Sequence, residues 1–233
     1  MATSHPSLHV LFEDNHLLVV NKPAGIATMG TAAGTTSMVT LAKAYLKQQY
    51  KKPGNVYLGV VSRLDSLVSG VLVFARTSKA AARLSEQFRE RETQKIYWAV
   101  VEGVPQPKSG ELVHWLSKDE SQQRMVVRSK KSADAQEARL KYQTLRKFTR
   151  GTLLEVELQT GRKHQIRVQL AATGHPILGD RKYGSQEPFP AGIALHARSL
   201  TIEHPTLKQP LTFVAELPQA WERWATDETR IEH

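Results

Sequence analysis

The chain is expected to fold as a mainly antiparallel α+β domain, and three observations predict it. Short runs rich in β-branched and aromatic residues outnumber the segments with helical periodicity. Those runs follow one another as hairpins instead of alternating singly with helices, which argues against a parallel βαβ layout. No internal repeat, low-complexity tract or linker divides the chain. With 233 residues, 40% of them hydrophobic, there is enough apolar surface for one sizeable core, and residues 1–233 are expected to form one domain.

The elements follow in order. Leu8–Glu13 and Leu17–Asn21 are apolar runs on either side of Asp14-Asn15-His16, the pattern of a hairpin. Pro23-Ala24-Gly25 turns the chain, and Gly30–Thr36 is a loop of small residues. From Ser37 the period changes. Met38, Leu41, Ala42, Tyr45 and Leu46 share a helical face, Thr36 or Ser37 caps the helix, and Lys51-Lys52-Pro53-Gly54 ends it. Val56–Val61 and Val71–Arg76 read as strands flanking a loop. Thr77-Ser78 caps a second helix with Ala81, Leu84 and Phe88 on one side, and Lys95–Val101 is a strand. Pro105–Ala138 is polar and reads as an excursion of weak strands and loops. Arg139–Lys147 and Thr152–Gln159 form a hairpin turning at Thr149-Arg150-Gly151. A helix from about Lys163 to Ala172 ends at Gly174. Leu195–Ile202 and Leu211–Ala215 are closing strands, and Pro218–Trp224 is a short terminal helix.

Lys and Arg number 32 and Asp and Glu 22, a formal net charge of +10. Such an excess favours a polyanionic partner. The absence of cysteine excludes disulfides, zinc ribbons and thiol nucleophiles. Met1–His9 lacks the basic and apolar segments of a signal peptide, and no apolar run is long enough to span a bilayer. A cytoplasmic protein with no membrane partner is therefore expected. The nine histidines show no metal-ligand spacing, so no metal and no cofactor is expected.

Four segments look like site instead of scaffold: Asn21–Gly25, Ser62–Gly70, Lys95–Ala99 and Gly161–Arg167. In the second, Arg63 stands two positions before Asp65. A cation beside Asp65 would hold it ionised, ready to act as nucleophile or base. By itself the triplet fits a structural ion pair in a tight turn better. Tyr97 by itself fits a core aromatic, the alternative being a ring that stacks on a base. The cluster Arg162, Lys163, His164 and Arg167 is more specific. Cations at a helix N-terminus oppose the macrodipole unless an anion fills the site. Arg124, Arg128, Lys130 and Lys131 either grip a phosphate backbone or form a solvated charged loop.

Taken together, these segments resemble the RluA family of RNA pseudouridine synthases over nearly the whole chain. The resemblance rests on Val20–Gly25, Ser62–Gly70, Lys95–Ala99, Gly161–Val168, Gly174–Asp180 and Leu195–Leu200 in that order. It implies a mixed, mostly antiparallel sheet with flanking helices and a central RNA-binding cleft. It also implies the isomerisation of selected uridines of ribosomal or transfer RNA to pseudouridine. By this resemblance Asp65 is the catalytic carboxylate, Tyr97 the active-site tyrosine and Arg167 the basic partner of the aspartate. Arg63 fills the space of the flipped base, and Lys22, Arg162, His164, Arg124 and Arg128 are expected to contact RNA. Two departures stand out: Ser62 where the family has His, and Val68 where it has Thr. With the first strand expected from about Leu8, no N-terminal S4 domain is expected, and a monomer is expected. The rival reading is a non-catalytic RNA-binding or RNA-folding protein on the same scaffold. A pure binder gains nothing from a carboxylate in a basic surface.

Overall fold

The computed structural model describes residues 8–30, 35–130 and 132–224, and the chain divides into two compact units. The first comprises Met1–Thr93 and Leu200–Glu216, the second Gln94–Ser199 and Leu217–His233.

In the first unit, β1 (His9–Glu13) pairs antiparallel with β2 (Leu17–Lys22). Strand β2 pairs antiparallel with β4 (Ser69–Ala75), from Leu17 opposite Ala75 to Lys22 opposite Gly70. Between them in sequence, the expected strand over Val56–Val61 shrinks to β3 (Gly59–Val60). Every residue of β4 is buried, because each face of the β2–β4 pair carries a helix. A strand covered on both sides reads as a continuous apolar run. Leu17, Val19, Val71, Val73 and Ala75 face Ala80 and Leu84 of helix α2 (Ser78–Glu90). Leu18, Val20, Leu72 and Phe74 face Met38, Ala42 and Leu46 of helix α1 (Met38–Gln49). Both N-caps follow the expectation: Ser37 Oγ accepts from Thr40 N, and Thr77 Oγ from Ala80 N.

The second unit is built on β5 (Gln94–Val101), β6 (Ser109–Asp119), β7 (Arg124–Arg128), β8 (Gln136–Phe148) and β9 (Gly151–Leu158). Their hydrogen-bonded order is β5-β9-β8-β6-β7, antiparallel throughout. The polar excursion expected over Pro105–Ala138 is here a long hairpin, with β6 spanning 11 residues. Its turn is closed by the Asp119 carboxylate, which accepts from Ser121 N and Gln122 N. Helix α3 (Gln165–Ala172) starts two residues later than expected, after His164 adopts φ 53°. Its Val168 and Ala171 pack with Leu116, Ala138, Met125 and Tyr183.

Strand β10 (Leu195–Glu203) begins in the second unit and finishes in the first, where β11 (Pro210–Val214) pairs with it. Of the expected terminal helix, the described residues form one 3-10 turn, Gln219–Trp221. Its Trp221 is 1% exposed and packs edge-on against His196 and Phe189.

Candidate active site

Asp65 lies in the first unit, on the loop between β3 and β4, and is half-buried. That loop is tied on both sides of Asp65 to the turn that follows β2. Pro23 ends β2 because it has no N–H to donate. Gly25, at φ 91°, takes a conformation costly for other residues and donates its N–H to Ser66 O at 2.7 Å. On the other side, Thr28 Oγ1 donates to Leu64 O at 2.9 Å and accepts from Leu64 N at 3.0 Å. Val68 N donates to Asp65 O at 3.1 Å, curling the loop, and Gly70, the second residue of β4, adopts φ 116°. Arg63 is exposed at the loop surface, as is Leu67. Val68, one of the two departures from the family pattern, is 2% exposed and so sits in the interior.

Lys22 departs from its reading as an RNA contact. It is fully buried, and its ammonium donates to the carbonyls of Pro23 (2.8 Å), Ile26 (2.7 Å) and Ser66 (3.2 Å). All three protons of an ammonium are thereby used inside the protein. Burial lowers its pKa from 10.5 to about 8, against the raising effect of the negative charge of Asp65. Lys22 therefore serves as an internal tie and a source of positive potential beneath the aspartate loop.

The second unit carries the other predicted residues. Tyr97 is half-buried on β5, opposite Val156 of β9. Its neighbour Trp98 points to the opposite face of the strand, where the Arg198 guanidinium lies 4.7 Å from its ring. Arg167 sits inside α3 and is 3% exposed. It forms a two-pronged pair with Asp180, Nε to Oδ2 at 2.6 Å and Nη2 to Oδ1 at 2.8 Å. Its guanidinium also stacks 5.0 Å from the Tyr183 ring. Tyr183 Oη bonds His164 Nδ1 at 2.8 Å and accepts from Met125 N at 3.1 Å. The αL turn at His164 thus has a tertiary cause, since it points the imidazole at Tyr183.

Arg162 is half-buried, and its Nε donates to Glu137 O at 3.0 Å. Gln165 supports this turn, its Oε1 accepting from Arg162 N and Thr160 Oγ1. Arg124 and Arg128 bracket β7 four residues apart and share one face of the strand. Arg128 is exposed, 3.4 Å from Asp119. Lys131 and residues 31–34 of the loop of small residues lie outside the described residues. Within the first unit the structure therefore brings Lys22 within electrostatic reach of Asp65, while Arg63 stands at the loop surface two residues before it. Within the second it gathers Arg162, His164 and Arg167 around α3. Sequence reasoning missed Thr28, Asp180 and Tyr183 as supporting residues. Asp180 stood in a quoted segment, but a lone Thr or Tyr carries no local signal.

Comparison with known proteins gives a consistent picture. Residues 16–172 match the family model described as RNA pseudouridylate synthase. The dual-specificity RNA pseudouridine synthase RluA of Salmonella typhimurium is 36% identical over 219 residues, covering 89% of this chain and 92% of that protein. The ribosomal large subunit pseudouridine synthase D of Xylella fastidiosa is 37% identical over 226 residues, covering 91% of this chain and 66% of that one. The chain thus spans about two thirds of the length of the latter relative. Among solved structures, human RNA pseudouridylate synthase domain containing 4 superposes with a TM-score of 0.76 at 28% identity, covering 92% of both chains.

Proposed function

The chain belongs to the RNA pseudouridylate synthase family, whose members isomerise uridine to pseudouridine in RNA, and on that footing we propose its targets and the residues that act on them. The targets are uridines in structured ribosomal or transfer RNA. The names of the relatives, one ribosomal and one dual-specificity, support this range. The single observation that carries the residue assignment is the lacing of the Asp65 loop. A half-buried carboxylate is held between two residues whose backbones are both tied down, which is the preorganisation a reacting group needs.

The reaction breaks the N1–C1′ bond, turns the uracil and rejoins it through C5. Atoms and electrons balance because the proton lost from C5 is matched by one taken up at N1. Asp65 supplies the carboxylate that acts on the sugar or the base. Tyr97 stacks against the uracil and takes part in the C5 proton transfer, and Arg167 supplies positive charge. A uracil in folded RNA must first leave its stack, at a cost of a few kcal/mol. Arg63 fills the space it leaves, while Arg124, Arg128, Arg162 and His164 hold the RNA, offsetting that cost through phosphate contacts. Residues 1–233 are proposed as one catalytic domain, acting as a monomer in the cytoplasm. No helix among the described residues is long and apolar enough to cross a membrane.

Tritium release from RNA labelled at uracil C5 tests this reading, with the wild type compared with Asp65→Asn. Release by the wild type alone is expected. Equal release by both would remove Asp65 from the chemistry.

A further inference from the structure

Thr28 stands in none of the family segments, yet its side chain does the work of a neighbouring strand. It is 3% exposed, and its hydroxyl both donates to and accepts from the backbone of Leu64, at 2.9 and 3.0 Å. A hydroxyl carries one donor and two acceptor pairs, so one side chain can satisfy both groups. Thr28 is itself anchored. Its carbonyl accepts from Val39 N at 3.1 Å, and the carbonyl before it, of Ala27, accepts from Met38 N at 2.9 Å. Those two amides lie in the first turn of α1, where backbone donors have no partner within the helix. A chain of contacts thus runs from the start of α1 through Thr28 to Leu64, the residue before Asp65.

We infer that Thr28 is a positioning residue for the Asp65 carboxylate, holding the N-terminal side of its loop against α1. The inference rests on the proposed role of Asp65. Ser66, on the other side, is held by Gly25 N and by the Lys22 ammonium. Losing the Thr28 clamp removes the tie on the N-terminal side of Asp65 and leaves the one at Ser66. The tie at Ser66 and both hydrophobic clusters of this unit do not depend on the Thr28 hydroxyl.

Thr28→Val preserves shape and removes both hydrogen bonds, whereas Thr28→Ser keeps the hydroxyl. In the valine variant kcat is expected to fall roughly 10- to 100-fold, as for a reacting group displaced by about 1 Å. RNA affinity should change by no more than about twofold, since the clamp itself does not touch RNA. The serine variant should recover kcat to within about threefold. Amide hydrogen exchange gives a readout independent of activity. Leu64 N–H should be protected in the wild type and exchange at least about tenfold faster in the valine variant. A Leu64 amide already unprotected in the wild type, or unchanged in the variant, would overturn the clamp. Lost protection with unchanged kcat, or a serine variant as impaired as the valine one, would overturn the positioning role. If the wild type released no tritium from any RNA while Leu64 kept its Thr28-dependent protection, the functional reading would fall and the clamp would stand.

Discussion

Lys22→Met changes how stability depends on pH, and the size of the change follows from the burial of one ammonium. In the folded protein Lys22 is inaccessible to solvent and loses its proton at about 8. In the unfolded chain a lysine keeps its proton to about 10.5. Between those values the unfolded state binds more protons, so stability rises with pH across that window. At pH 7 the cost of burying the charge is fully present, about 3 kcal/mol for a separation of this size. Integrated from pH 7 to pH 10, the wild type should gain about 2–3 kcal/mol that the methionine variant does not. Urea denaturation of both proteins at the two pH values measures this, and the difference between them cancels every other titrating group. The neutral-pH comparison is less informative. Removing the ammonium leaves the Pro23 and Ile26 carbonyls without this donor, at about 1–3 kcal/mol each, and this opposes the relieved charge burial; Ser66 O keeps its bond from Gly25 N. The same pH increment in both proteins would show that Lys22 titrates as an exposed lysine, and would refute its placement beneath the loop.

Three further outcomes are expected. Asp65→Asn abolishes turnover and leaves RNA affinity within about twofold; near-normal turnover in a tritium-release assay would end its catalytic assignment. Arg167→Ala strands the carboxylate of Asp180, 1% exposed in its side chain. Urea melts should show a loss of about 3–5 kcal/mol, as for breaking one partner of a buried ion pair, and a loss below about 1 kcal/mol would refute the importance of that pair. Replacing Arg124 and Arg128 together by Ala should weaken RNA binding and reduce its salt dependence by roughly one to two phosphate contacts. Unchanged binding at low salt would take the β6–β7 hairpin out of the RNA interface.

Much of the fold was legible because its signals are local. A cap followed by apolar residues three and four apart announces α1 and α2, and both caps are made by the expected hydroxyls. The unbroken apolar runs of β2 and β4 announce strands covered on both faces. The β6–β7 hairpin was harder. Its exposed and half-buried residues alternate, so its apolar content is low, and it is specified by pairing with β8 along Ser109–Leu116. Over Pro218–Trp224 one turn stands in place of the expected helix.

For the site, the sequence by itself picked out the candidate groups Asp65, Tyr97 and Arg167, from the order and spacing of the segments around them. It also determined the positive charge that a polyanion requires. Only the tertiary structure decided which cations are internal. Lys22 and Arg63 look equally available along the chain, yet one is sealed under three carbonyls and the other stands at the surface. Tertiary structure alone also paired Arg167 with Asp180, 13 residues away, and Thr28 with Leu64, 36 residues away. Burial and hydrogen-bond partnership depend on what the folded chain brings alongside a residue, and spacing along the sequence carries no record of that.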